Sequence, residues 1–393
     1  MKLSRHLLAC TVLTCAFVTV PPAVAATGWR VDLAEPGPGS TNVVTDPLRL
    51  GSGGNRAASA DSTARTGMAV YPHALATPAG AFTATVTGTV PDGAEVAVDV
   101  RGRADGRWTE WAEIRPDAPG VLTGAARDVE VRVVLNAPGE VATPDVDGVT
   151  ITPVAGGRTA APPSGLAYRV YATREGLVGH TTANGHKIVN RDHFVALPSR
   201  RGLSPASSGD YSVRVCAGTR CAWAPAWDVG PWNTKDDYWA APGVREQWAD
   251  LPQGRPASQA AYEDGYNGGR DEFGREVKNP AGIDLADGTF WDGLKLTTNS
   301  WVTVTYQWTG SQPHGFVRTP GAALNVRPAP DSGSPNVGLA AKYAQVRIEC
   351  AAAGENVDGS QGTTDRWYRL APGMFVSAAY VALASGGKAV PAC

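Results

Sequence analysis

Phe82-Thr83-Ala84-Thr85-Val86-Thr87, Glu95-Val96-Ala97-Val98-Asp99-Val100-Arg101, Val129-Glu130-Val131-Arg132-Val133 and Val149-Thr150-Ile151 alternate side-chain character with a period of two. That period turns one face of a strand inward and the other to solvent, so the runs predict half-buried antiparallel strands. Turn signals such as Pro91-Asp92-Gly93 separate them. The spacing predicts a β-sandwich over residues 81–155.

The rest of the 393-residue chain has the same character. It carries 46 Gly and 30 Pro, with few charged residues and no long Glu/Lys/Leu-rich periodic runs, which points to strands joined by tight turns and an all-β class. The length predicts two or three domains, each large enough for its own core. Residues 26–80 are rich in Gly, Ser, Ala and Asn, with Gly51-Ser52-Gly53-Gly54 among them, and read as a flexible arm. Residues 156–166, with Gly157 and Pro162-Pro163, read as a linker. A second domain is expected over 167–309 and a third over 316–393.

The N-terminus reads as an address. Lys2 and Arg5 precede an apolar run from Leu7 to Val20, then Pro21, Pro22 and Ala23-Val24-Ala25: a secretory signal peptide, residues 1–25, cut near Ala25 or Ala26. A lipid anchor is the competing reading, but Cys10 comes too early and Cys15 lacks a small residue before it. No later stretch is long and uncharged enough to span a bilayer. The expected localisation is secreted, extracellular or cell-wall-associated, with no membrane partner after cleavage, as a monomer. Without Lys2 and Arg5, 33 of the 35 basic residues face 37 acidic ones, so the basic excess of a nucleic-acid binder is missing.

Cys216, Cys221, Cys350 and Cys393 remain after cleavage. An even number in an exported chain suggests disulfides. Of the three connectivities, the short separation of Cys216 from Cys221 favours a hairpin staple, leaving Cys350 to Cys393. No His stands at zinc spacing from either pair, and neither a metal nor a cofactor is expected.

Polysaccharide cleavage needs a proton donor and often a second carboxylate. Asp228, in Trp227-Asp228-Val229-Gly230-Pro231-Trp232, and Asp284, in Gly282-Ile283-Asp284-Leu285-Ala286, stand at strand ends beside apolar residues that raise a carboxyl pKa toward that of a general acid. In Arg107-Trp108-Thr109-Glu110-Trp111, two Trp are expected on one face of one strand, either as a sugar platform or as core packing.

Gly179-His180-Thr181-Thr182-Ala183-Asn184-Gly185, Asp192-His193-Phe194-Val195-Ala196-Leu197-Pro198, Asp228-Val229-Gly230-Pro231 and Ile283-Asp284-Leu285 occur in the order found in rare lipoprotein A, expansins and barwin-like domains. The resemblance covers Tyr168 to about Gln307 and implies a six-stranded double-psi β-barrel with a polysaccharide groove. In the rare lipoprotein A branch it implies catalytic roles for His193 and Asp228; in expansins and membrane-bound lytic transglycosylases, for Asp284, with Thr182 matching a motif Thr near that acid. Three positions depart from the pattern: Val229 for Arg, Ala286 for Ser and Trp227 for Asn.

A long insertion, 232–282, separates the last two motifs. It holds Trp232, Tyr238, Trp239, Trp248, Tyr262, Tyr266 and Phe273, a density suited to stacking sugars or to cementing the insertion; Trp232, Tyr238 and Trp239 are the substrate-binding candidates. Asp264 to Asp271 has a loose look of a calcium loop without the ligand spacing of an EF-hand. Beyond it, Ala323-Leu324-Asn325-Val326-Arg327-Pro328, Val346-Arg347-Ile348-Glu349-Cys350 and Trp367-Tyr368-Arg369-Leu370 resemble a bacterial Src-homology-3-like domain, whose implied role is attachment to the wall.

The resulting expectation is a secreted protein whose partner is cell-wall polysaccharide, peptidoglycan foremost. The enzymatic form is lytic transglycosylase or glycoside hydrolase chemistry on Asp284 and Asp228 with His193. The alternatives are a non-catalytic expansin-like wall binder and a secreted protein-binding or inhibitor barrel.

Overall fold

The computed structural model describes residues 27–52, 65–104, 106–137, 141–154, 165–321 and 323–393. The expected signal peptide and all of the expected linker except Gly165 and Leu166 lie outside them. Among the described residues, no helix is long and apolar enough to cross a membrane.

Strands β1 (Arg65–Thr89), β2 (Glu95–Ala104), β3 (Gly120–Ala137) and β4 (Asp145–Pro153) are the body of a seven-stranded antiparallel sheet. The first part of β1 pairs with β3 and its last part, from Phe82, with β4. Register shifts between Ala74 and Ala81 mark the irregular stretch where one pairing gives way to the other. Ala69, Tyr71, Phe82, Val98, Val131, Val149 and Ile151, from both sides of that stretch, share one apolar core.

The expected arm is corrected here. Residues 65–80 are the first two-thirds of β1, and Val31, Leu48 and Leu50 lie in the same core. Met68, Ala69 and Val70 are all buried, because this part of the strand has protein on both faces. Ala69 and Tyr71 face the core of the sheet, whereas Met68 packs with Ala183, Leu203 and Val229 of the next domain. A strand covered on both sides shows no alternation.

The central domain is a closed six-stranded mixed β-barrel, compatible with a double-psi barrel. Its strands are β5 (Ala167–Arg174), β6 (Val195–Leu197), β7 (Ser212–Ala217), β8 (Arg220–Val229), β9 (Ala281–Leu285) and β10 (Ser300–Tyr306). Round the barrel the order is β6-β9-β5-β10-β7-β8, and β8 closes on β6. The pairs β5–β9 and β6–β8 are parallel and the other four antiparallel. The insertion between β8 and β9 holds one short helix, α1 (Ala257–Asp264).

The C-terminal part is a small β domain fused to the barrel. Its strand β12 (Gly338–Ala341) runs parallel to β8 and carries β11 (Ala323–Val326) on its outer edge, so the barrel sheet continues into this domain. Val326, Val346, Ile348, Leu370 and Val376 belong to the same apolar cluster as the barrel core. Cys216 is bonded to Cys221 across the β7–β8 hairpin, and Cys350 to Cys393.

The N-terminal sheet docks on the barrel through charge as well as apolar contact. Arg101 is 2% exposed, between the rings of Trp108 and Trp111 at 4.4 and 4.6 Å, and pairs with Glu130 at 2.7 Å and Asp210 at 3.1 Å. Arg132 pairs with Asp99 at 2.7 Å and donates to Arg200 O at 3.1 Å. Such buried ions are tolerated because each is paired and hydrogen-bonded. The expected Trp platform does not form: the strand there is only Arg107–Trp108, and Trp111 is buried beneath two guanidinium groups.

Candidate functional site

Three acids converge at one end of the barrel. Asp228 is the next-to-last residue of β8 and Asp284 that of β9, while Glu175 follows β5 directly, its N–H bonded to Leu285 O at 2.9 Å. Asp284 is in register with Thr173 of β5 and with Ala196 of β6, and Ala196 is in register with Asp228. The register therefore lays Thr173, Asp284, Ala196 and Asp228 in one row across four strands.

Each carboxyl is held differently. Asp228 is 2% exposed, and its Oδ1 accepts the N–H groups of Ala183 and Val229, both at 2.8 Å. Asp284 is 7% exposed, and its Oδ1 accepts the Thr173 hydroxyl. Both oxygens of Glu175 are enclosed without a hydrogen bond of good geometry. Burial dominates the electrostatics. It pushes Asp284 up to about 7 against the Thr173 hydrogen bond, and Asp228 up to about 7 against its two backbone N–H donors. Glu175 is raised well above the usual carboxylate range, first by burial and then by the charges of Asp228 and Asp284.

Thr182 belongs to the scaffold of this site and does not face a groove. It is fully buried; its hydroxyl donates to Asn184 Oδ1 at 2.7 Å and accepts from His186 N at 3.1 Å. Asn184 in turn donates to Ser204 O at 3.0 Å. The turn so fixed holds Ala183 N–H on the Asp228 carboxyl.

His193 is half-buried and makes no hydrogen bond to either aspartate. Burial lowers its pKa, with Asp292 and Asp192 opposing the shift and Arg191 adding to it. The neighbouring His186 pairs with Asp192. Its Nε2 lies 2.6 Å from Asp192 Oδ2, its ring lies tilted against Trp227 at 4.7 Å, and the Asp192 charge also acts on Glu175.

The aromatic candidates of the insertion are corrected. Tyr238 and Trp239 are fully buried among Tyr306 and Trp308, with Trp239 Nε1 donating to Glu110 at 2.9 Å. They cement the insertion to the barrel and the N-terminal sheet. Trp232 is half-buried, with its indole N–H on Asn279 Oδ1 at 3.1 Å. The loose calcium loop is spoken for: Asp264 pairs with Arg255, and Asp271 with Arg275 at 2.5 Å. Among the described residues no group of three acidic, His or Cys side chains is placed to hold a metal.

Glu175 and His186 were missed by sequence reasoning. His186 is the residue after the first quoted motif, and a Gly-His step in a turn carries no chemical signal alone. Glu175 sits in Arg174-Glu175-Gly176, which reads as an ordinary strand end. The topology that brings β5 beside β9 is what places it against the aspartates.

Residues 166–305 match a family model described as a domain of unknown function (DUF8814). The match begins one residue before β5 and ends one residue before the last residue of β10. No curated protein and no solved structure matches the chain significantly.

Proposed function

We propose that this chain is an exported, wall-associated protein whose barrel, of the rare lipoprotein A and expansin type, binds peptidoglycan or a related polysaccharide and cleaves it by acid/base chemistry. The observation that carries the reading is the pair of strand-end carboxyl groups, Asp228 and Asp284, both raised to about 7. A carboxyl that holds its proton near neutrality donates it to a glycosidic oxygen, and a neighbouring carboxylate takes one from the attacking hydroxyl.

Asp284 suits the donor role: its one hydrogen bond comes from Thr173, and it is the less enclosed of the two. Asp228, with two N–H donors on one oxygen, suits the base. Glu175 links them as a third proton site. A glycan reaches these buried groups only when the protein around them opens. The Src-homology-3-like C-terminal domain then serves as the wall attachment.

Burial and the missing motif residues support a second reading, in which the barrel binds without cleavage. Val229 and Ala286 supply no side-chain hydrogen bond to orient either acid. Incubation of the purified protein with sacculi, followed by mass spectrometry of the soluble fraction, separates the two. Anhydro-muropeptides are the expected product; retention on insoluble peptidoglycan with no release, unchanged in Asp228→Asn and Asp284→Asn, overturns the catalytic reading and leaves the binding one.

A further inference from the structure

A cavity of about 680 Å³ lies where the N-terminal sheet, the insertion, the segment after β10 and the C-terminal tail meet. Its size falls within the range of small-molecule sites. Trp108, Trp239, Trp308 and Leu166 form much of its wall. Neither Asp228 nor Asp284 lines it, so it is separate from the acids described above.

Several of the polar groups around it are committed. Thr109 Oγ1 accepts from Gly102 N and donates to Glu110 O, and Thr309 Oγ1 accepts from Leu166 N and donates to Tyr306 O. Arg107 donates to His314 Nδ1 at 2.8 Å and to the carbonyls of Gly310 and Gln312. Gln253 spends its amide N–H on Trp239 O at 2.8 Å.

His314 Nε2 is buried without a hydrogen-bond partner among the described residues, and the other exception is Glu110. Its Oε1 accepts two indole N–H groups, from Trp308 at 2.6 Å and Trp239 at 2.9 Å, and its Oε2 makes no hydrogen bond. The carboxyl is thus held in place by two rigid donors with one oxygen left over. At the tail, Lys388 is exposed and pairs with no acid among the described residues.

We infer that this cavity binds an organic ammonium, a primary amine on an apolar chain. The ammonium supplies the donor that Glu110 Oε2 lacks and adds to the Arg201 charge that already acts on this carboxyl, and the chain lies against the indole walls. The inference is independent of any acid/base activity of the barrel.

The test is a titration of intrinsic tryptophan fluorescence at mildly alkaline pH with hexylamine hydrochloride, hexanol and N-acetylglucosamine. Hexylammonium is expected to saturate, with hexanol and the sugar weaker by about tenfold or more. Glu110→Gln, with an unchanged denaturation midpoint, is expected to lose that margin. Lys388→Glu, at an exposed position that does not threaten folding, is expected to tighten hexylammonium binding by about twofold or more. Equal affinity for hexanol, saturation by the sugar alone, no saturable response to hexylamine, or indifference to Lys388→Glu each overturn the inference.

Discussion

Ala196 is in register with Asp228 on one side and with Asp284 on the other. With strands about 4.8 Å apart, this sets the two aspartate Cα atoms about 10 Å apart, with the smallest chiral side chain between them. The Asp284 charge still raises Asp228 a little, and Glu175 is the group that senses both, since both charges raise its pKa.

Asp228→Asn should consequently lower the pKa of Glu175. The asparagine Oδ1 still accepts from Ala183 and Val229, so the turn is kept while a like charge is removed. Titration of the carboxyl carbons by NMR checks this. A Glu175 pKa unchanged in the variant shows that burial alone sets it.

The raised acids predict a direction for stability against pH. Asp284 binds its proton more tightly folded than unfolded, so its contribution is fully present below the unfolded pKa of about 4 and is lost as pH rises through about 7. Asp284→Asn keeps the acceptor for Thr173 and removes the titration. It should be more stable than the native protein above neutrality, by up to about 4 kcal/mol, and little different in acid. Denaturant melts at acidic and alkaline pH measure the difference; a gain of equal size at both ends refutes the linkage.

Thr182 predicts a split between two conservative changes. Thr182→Val removes the hydroxyl that donates to Asn184 Oδ1 and accepts from His186 N, leaving between those two groups only the direct His186 N–H bond to Asn184 Oδ1 at 3.1 Å; this costs about 1 kcal/mol and loosens the turn that offers Ala183 N–H to Asp228. The Asp228 pKa should then rise further. Thr182→Ser, which keeps the hydroxyl, should change neither. Stability and an NMR titration of Asp228 decide it; a Val variant that leaves Asp228 untouched makes Thr182 a packing residue only.

How legible these features were in sequence depends on what covers each residue. Alternating runs such as Glu95 to Arg101 gave away their strands, since their second covered face carries charged residues, Asp99 and Arg101, but the stretch Thr66 to Tyr71 did not, because mostly small or apolar residues stand on both of its covered faces. Asp228 and Asp284 stood out as acids at strand ends, whereas Glu175 became visible only once a parallel pairing put β5 beside β9. Trp108 and Trp111 are three residues apart, and a period of two does not put such a pair on one face. Tyr238 and Trp239 show that aromatic density does not distinguish a sugar platform from a core: the deciding fact is burial, which belongs to the tertiary structure.

Arg101 is the junction residue whose loss should be most costly. Its guanidinium neutralises Glu130 and Asp210, which come from different domains, and fills the space between Trp108 and Trp111. Arg101→Met preserves much of the volume but leaves two carboxylates facing each other without their cation, a loss of about 3–5 kcal/mol. Replacing Glu130 and Asp210 by Gln and Asn in the same protein should recover part of it, because the uncompensated charges go too. Denaturation of the single and triple variants tests the account; a Met variant as stable as the native protein shows that the two sheets dock through their apolar contacts, Met68, Ala97 and Val134 against Ala183, Leu203 and Val229, and that the ion cluster adds nothing to them.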